Sequence, residues 1–372
     1  MVSYAVRAAA LSIAILFATA AHPSSASGSR APAAIANDNT IPAGAITNDT
    51  LTVALELRPA TWLPNGDSGI ALPVEAFAEA GRAASIPGPL LRVPSGTVML
   101  VSVRNLLGVR AVLHGLCDHD GTADSLALAP GETRDIRFTA RAVGTHFYFA
   151  RTTSTPTILS RGQGSQLAGA FIVDPPSSGL ASTATRDRVF VITAWEDSTA
   201  RPELRYGRRQ MFAINGLSWP HTERLSYATG DTVRWRVVNA SQHGHPMHLH
   251  GFYFSVLSRG TPLGDTLYAA PARRHAVPAF LSAGTTMSVQ WTPDRDGNWW
   301  ILTSGNGFYR LAHGRIEPVT FPEQADTLSI QQVFEDREGA LWLAASSGLF
   351  RVKGNISSTI GNGGTGGEGY GG

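Results

Sequence analysis

The sequence predicts an all-β protein built from two tandem β-sandwiches, and three observations carry that expectation. Short β-rich runs punctuated by glycine and proline follow one another from about residue 46, with no sustained helical period. Several runs, such as Val98 to Val103 and Val233 to Val238, alternate in character as half-buried antiparallel strands do. The pattern also occurs twice. Runs ending in asparagine, at Asn105 and Asn239, each follow a Gly-Thr or Gly-Asp-Thr turn and precede a histidine-bearing stretch.

Composition supports a folded chain and narrows its chemistry. The 372 residues are 43% hydrophobic and 16% charged, which is ample apolar material for a core and too little charge to keep the chain expanded. A formal charge of +2, with Lys353 as the only lysine among 30 basic residues, gives no electrostatic reason to expect nucleic acid or anionic lipid as a partner. The single cysteine rules out an internal disulfide, a cysteine-based zinc ribbon and a CxxC redox pair.

In chain order, residues 1–21 read as a signal peptide: Arg7, an apolar stretch from Ala8 to Ala20, and a small-residue cleavage site at Ala18-Thr19-Ala20. A periplasmic or secreted location follows as an expectation, and the apolar stretch is too short to span a bilayer. Residues 22–45, rich in Ala, Ser, Pro and Asn, read as a flexible leader. The first sandwich is expected over 46–174, a linker over 175–188 and the second sandwich over 189–320. A separate segment covers 321–354, and a Gly-rich disordered tail is expected over 355–372.

The densest chemistry is His243-Gly244-His245-Pro246-Met247-His248-Leu249-His250-Gly251. On a strand, His248 and His250 lie two apart and leave the same face, so both can approach one metal or two adjacent metals. Pro246 turns the chain between them and His245, which can direct His245 to a different site. Imidazoles without an acidic cluster suit copper, zinc or iron rather than calcium or magnesium.

These residues resemble the HPxHLHG signature of the multicopper oxidases, a laccase-like family of cupredoxin domains. Other stretches resemble the family in order: Ile86-Pro87-Gly88-Pro89-Leu90-Leu91-Arg92-Val93, Leu128-Ala129-Pro130-Gly131-Glu132-Thr133, Gly144-Thr145-His146-Phe147-Tyr148 and Ile214-Asn215-Gly216. The resemblance runs from about residue 50 to 315 and implies two cupredoxin-like Greek-key sandwiches, copper as cofactor and oxidoreductase chemistry on phenolic or metal-ion donors. It also implies self-association, as trimers in two-domain members.

Three of the family's four ligand motifs are broken here. HWHG falls on Val112-Leu113-His114-Gly115, leaving His114 alone. WYHSH falls on Phe147-Tyr148-Phe149-Ala150-Arg151, and the HCH of GxWxxHCH falls on Leu302-Thr303-Ser304. Phe149, Arg151 and Leu302 carry no copper donor, and Thr303 removes the thiolate of a type 1 centre. His245, His248 and His250 remain, with His114 as a fourth ligand from the other domain, a set suited to a mononuclear open site. The expectation is therefore a copper-binding, non-turnover member; the alternative is a working laccase-like oxidase.

The remaining candidates read as structural. Cys117, on a loop beside His114, is expected to be an incidental thiol, and His146 a packed strand residue. His313 is too distant to restore the last motif. His221 and His275 default to surface or satisfied positions, and one of Trp299 and Trp300 to core. Phe334 to Arg351 resembles one repeat of the two-component-regulator propellers, and a single repeat cannot bury both its faces.

Overall fold

A computed structural model describes residues 30–122, 124–152, 165–176, 186–197, 209–249, 252–293, 299–302, 308–312, 315–318, 330–335, 340–345, 348–353 and 356–362. The signal-peptide pattern, His250, Thr303, Ser304 and His313 lie outside them. The chain is all-β, as expected. No helix among the described residues is long and apolar enough to cross a membrane.

The first sandwich begins with a long strand, Thr50–Trp62, whose Leu51, Val53, Leu55 and Leu57 are buried. That alternation is what the two-residue pleat requires of a strand with one face in a core. Thr50–Trp62 lies between Leu72–Glu79, antiparallel, and Thr97–Asn105, parallel to it. Thr133–Ala140 closes that side of the sheet. The facing sheet has the order Gly88–Pro94, Ala168–Asp174, Gly144–Arg151, Ala111–His114 and Leu126–Leu128. Between the two sheets pack Leu51, Val53, Leu55, Leu57, Phe77, Met99, Val101, Tyr148 and Phe171.

Residues 30–45 do not behave as the expected free leader. Ile35–Ala36 pairs parallel with Ala84–Ile86, and the side chain of Asn37 donates to the Gly88 carbonyl. Asn39 is buried and donates to Asn215 in the second sandwich. Composition suggests flexibility there, but the asparagine side chains supply the hydrogen bonds that a leader would leave to water.

The second sandwich repeats the scheme. Its main sheet runs Gln210–Ile214, Asp187–Glu196, Val233–Asn239, Thr286–Trp291, Phe254–Thr261 and Gly264–Leu267. A two-stranded ribbon, His245–His248 against Pro278–Leu281, covers it. Ala279 and Leu281 of the ribbon pack against Val233, Val237, Phe254, Val256, Met287 and Val289. Asp187 and Arg188, expected within the linker, already belong to a strand.

The repeated asparagines have repeated jobs. Both are fully buried. Asn105 donates to the Val109 and Leu128 carbonyls and accepts from the Leu107 amide. Asn239 donates to the His243 and Ser282 carbonyls and accepts from the amide and hydroxyl of Ser241. In each half one side chain ties the loop after the strand to the turn opposite.

The two sandwiches meet through an apolar layer and a charge ring. Leu90, Phe147, Phe149, Ala170 and Ile172 of the first pack on Val189, Val191, Val238 and Ala240 of the second. The sheet carrying Gly144–Arg151 is thus buried on both faces, which explains why Ala168–Asp174 is buried at every position. Beside this layer Arg92 Nε meets Asp174 Oδ2 at 2.6 Å, and its Nη2 meets Asp187 Oδ2 at 3.0 Å. Arg236 closes the ring, with Nη2 at 3.0 Å from Asp174 and Nε at 3.1 Å from Asp187. Arg92 and Asp174 come from the first sandwich, Asp187 and Arg236 from the second. All four are less than 10% exposed.

A pair of buried histidines lies at the same junction. The rings of His119 and His146 stack with centroids 4.2 Å apart. His119 places its two ring nitrogens against the carbonyls of Gly115 and, from the second sandwich, Pro262. Asp265, also from the second sandwich, accepts from the Thr145 amide and the Ser258 hydroxyl. Burial, then the neighbouring His119, pushes the His146 pKa down to about 3, and burial lowers His119 as well. Asp118, Asp124 and Arg236 also act on the pair.

C-terminal to the sandwiches, Trp299–Leu302, Phe308–Ala312 and Arg315–Pro318 form a three-stranded sheet. Ile330–Glu335, Leu341–Ala345, Gly348–Lys353 and Ile356–Asn362 then form a four-stranded antiparallel meander. Its last strand falls in the segment expected to be disordered. Ile356 and Ile360 flank a Ser-Ser-Thr run that pairs with Gly348–Lys353, and the strand extends to Asn362, past the first glycine of the Gly-rich run.

Two predictions follow from the junction. Asp187→Ala leaves two buried guanidinium groups with one carboxylate and should lower unfolding free energy by about 3–5 kcal/mol in urea titrations. Because burial lowers the pKa of both His119 and His146, to about 3 in His146, the unfolded chain binds more protons below its ordinary histidine pKa of 6.5. Their contribution is therefore complete above that pH and is lost as pH falls, by up to about 1.4 kcal/mol per pH unit for each proton. Unfolding free energies measured from pH 7.5 to 5 should show this slope, and His146→Gln should flatten it.

Candidate metal centre

The two histidine-bearing stretches sit on short strands, one in each sandwich. His114 ends Ala111–His114, which pairs antiparallel with Gly144–Arg151. In that register His114 faces Phe149 and Val112 faces Arg151. Residues two apart share a face, so all four positions lie on one side of the sheet. Phe147 and Phe149 on this side pack against the second sandwich. The two positions of the broken first motif and the two of the broken second motif are thus brought together.

What they form is not a metal-ligand set. The His114 ring stacks on Phe149, with centroids 4.9 Å apart and planes 17° from parallel. Its Nδ1 lies 2.9 Å from the Asp124 carbonyl, an acceptor, so Nδ1 carries the proton. Nε2 then holds the lone pair and accepts from the Arg151 guanidinium at 3.1 Å. Burial, with the Arg151 charge adding to it, holds the His114 pKa below its ordinary value against the opposing effect of the Asp124 carbonyl.

Magnitudes decide whether copper fits there. A dication held about 4 Å from a guanidinium is repelled by roughly 8 kcal/mol at an effective dielectric of 20. A four-ligand structural zinc site is worth about 10–16 kcal/mol in total, or roughly 3–4 per ligand. One imidazole cannot offset that repulsion, so the first-sandwich half does not fit copper.

The second-sandwich half keeps its donors. His245 and His248 open and close the strand His245–His248 and lie three residues apart, hence on opposite faces. His245 is half-buried and His248 exposed. His248 directs Nδ1 to the Val277 carbonyl at 3.1 Å, which leaves the lone pair on Nε2. His245 Nε2 lies 2.9 Å from the Ser241 hydroxyl. That hydroxyl gives its proton to Asn239 Oδ1 at 2.7 Å, its shorter contact. Ser241 therefore accepts from His245 Nε2–H, and the His245 lone pair is on Nδ1. Burial, then the charge of His243, lowers the His245 pKa, which keeps the ring neutral and able to bind metal.

The sequence singles out His245, His248, His250 and His114. The structure places His245 and His248 on one ribbon, and His114 on the other sandwich in contact with Arg151. His250 lies outside the described residues. Among the described residues no three His, Cys, Asp or Glu side chains are grouped to hold one ion. Sequence reading missed Glu196, a buried carboxylate whose Oε1 meets His243 Nε2 at 2.8 Å. Its only sequence signal is an acid that follows the apolar run Val189 to Trp195 at the end of the strand Asp187–Glu196.

Other candidates behave as structural groups. Burial pushes the Cys117 thiol up to about 11, so it stays protonated at neutral pH and offers no thiolate. His146 is fully buried in its strand. His221 and His275 are both exposed. The strand Trp299–Leu302 is described, but not the side chains of its two tryptophans.

The Arg151–His114 contact makes a direct prediction. In Arg151→Gln the His114 pKa should rise towards 6.5, read from histidine ring resonances in an NMR titration. An unmoved His114 would mean that the guanidinium does not bear on its ring.

Comparison with known proteins agrees with this architecture. Models of the multicopper oxidase family match residues 80–178 and 193–303, together more than half of the chain. A probable nitrite reductase-hydroxylamine oxidoreductase fusion protein of Kuenenia stuttgartiensis is 27% identical over 221 residues, 53% of this chain and 24% of that protein. The L-ascorbate oxidase of Cucumis sativus is 33% identical over 150 residues, 35% of this chain and 24% of the oxidase. The chain thus spans about a quarter of the length of these relatives. The blue copper oxidase from Nitrosomonas europaea has a similar fold, with a TM-score of 0.52 at 20% identity over 74% of this chain and 87% of that one. The chain belongs to the multicopper oxidase family.

Proposed function

We propose that this chain is an exported family member that binds copper through His245, His248 and His250 and does not turn over. The carrying observation is the contact of Arg151 with His114 Nε2, together with Phe149 stacked on the same ring. Where the family motifs bring histidines, this chain brings a fixed cation and an apolar surface. His114 is accordingly left out of the ligand set, and the copper complement is reduced.

On the second sandwich the chain's own residues prepare the donors. Asn239 holds the loop through Ser241 and His243, and Ser241 fixes the His245 ring so that Nδ1 carries the lone pair. The Val277 carbonyl fixes His248 in the opposite tautomer. Bound copper would supply a one-electron couple without a thiolate ligand. The exported location and a homo-oligomeric state belong to the same reading. So does a sensing or carrying role: the meander of residues 330–362 has the strand number and order of a propeller blade.

The intact HPMHLHG stretch also favours a second reading, an active laccase-like oxidoreductase. Copper content and the visible spectrum of the purified protein separate the two. The proposal expects bound copper without an intense blue band, with copper content reduced in His248→Ala. An intense blue band would overturn it.

A further inference from the structure

The family motif leaves His243 unused, yet the structure gives it the most elaborate setting of the described second-sandwich histidines. We propose that His243 and His245 together form a two-imidazole site for a divalent transition-metal ion, distinct from the one that His248 serves. The inference deepens the function proposed above by giving His245, which lies on the opposite face of its strand from His248, to a separate ion, and it does not require His248 or His250.

Four observations carry it. His243 and His245 occupy alternate positions about one glycine, an arrangement that can present two side chains to the same side of an extended segment. Both rings stand edge-on to one aromatic, Phe212, with centroids 5.1 and 5.9 Å from it. Each ring has Nε2 engaged by an acceptor that fixes its tautomer: Glu196 Oε1 at 2.8 Å for His243 and the Ser241 hydroxyl at 2.9 Å for His245. In the neutral form both lone pairs are therefore on Nδ1. A ligand imidazole braced through its other nitrogen by a carboxylate or hydroxyl is the usual outer-shell arrangement of metal-binding histidines.

The fourth observation concerns the wall of the site. Glu196 is almost fully buried and also accepts from Gln210 at 3.1 Å, so the carboxylate that braces His243 is itself held. Phe280 lies across Gly244, where any Cβ would stand 2.2 Å from the ring tip. The step between the two histidines is thereby held against Phe280, while His243 remains 30% exposed and open to solvent. Two imidazoles, completed by water, suit copper(II), nickel(II) or zinc over calcium or magnesium.

The test uses the full chain and copper(II) alone, read by isothermal titration and by electron paramagnetic resonance. A His248→Gln/His250→Gln variant should still bind one copper ion with coupling to two nitrogens. Adding His243→Gln should weaken that binding more than tenfold, and Glu196→Gln should weaken it by about 10–100-fold through loss of the brace. Circular dichroism melts establish that each variant is folded. The proposal is overturned if the His248→Gln/His250→Gln variant binds no copper, or if His243→Gln leaves its affinity unchanged. Failure of the HPMHLHG reading is read separately, from His248→Gln alone, which would then lose no copper.

Discussion

Four charges hold the two sandwiches together. Arg92, Asp174, Asp187 and Arg236 alternate in sign around a closed ring, and each carboxylate is shared by an arginine from its own sandwich and one from the other. Removed from water, such charges are tolerable only when each is fully paired, so the ring specifies one relative position of the two sheets. That position buries the outer face of the strand Gly144–Arg151 against Val189, Val191 and Val238. The properties of the first-sandwich half of the candidate centre follow from which side chains this face presents.

The face presents Phe149 and Arg151. Phenylalanine joins the apolar layer that the junction needs, and arginine directs a permanent positive charge at the one histidine left from the first motif. The two changes are mutually consistent. His114 has a hydrogen-bond donor on Nε2 and an aromatic surface against its face, so its lone pair is not left without a partner. The second sandwich presents its histidines differently. Asn239, Ser241 and the Val277 carbonyl fix the tautomers of His245 and His248.

Much of this was legible in the sequence for a physical reason. Period-two alternation marks the strands, the repeated Asn105 and Asn239 mark equivalent turns, and the register of the broken motifs places Val112, His114, Phe149 and Arg151 in order. The ring was not legible. Arg92 sits inside an apolar run, and Arg236 two residues after another arginine in its strand, but nothing local says that their partners lie some fifty to ninety residues away. Residues 30–45 and Ile356–Asn362 were misjudged because composition was read where specific pairing decides. The tautomers of His114, His245 and His248 depend on carbonyl and hydroxyl partners that only the folded chain brings near.

If Arg151 and Phe149 keep copper out of the first sandwich, as proposed, the protein has no set of copper ions with which to oxidise phenolic donors by dioxygen. Oxygen uptake by the copper-loaded protein, supplied with excess phenolic reductant in a closed electrode cell, tests it most directly. Uptake should be no faster than with an equal concentration of copper bound to an unrelated histidine peptide. Sustained uptake at four electrons per dioxygen, dependent on the folded protein, would contradict it.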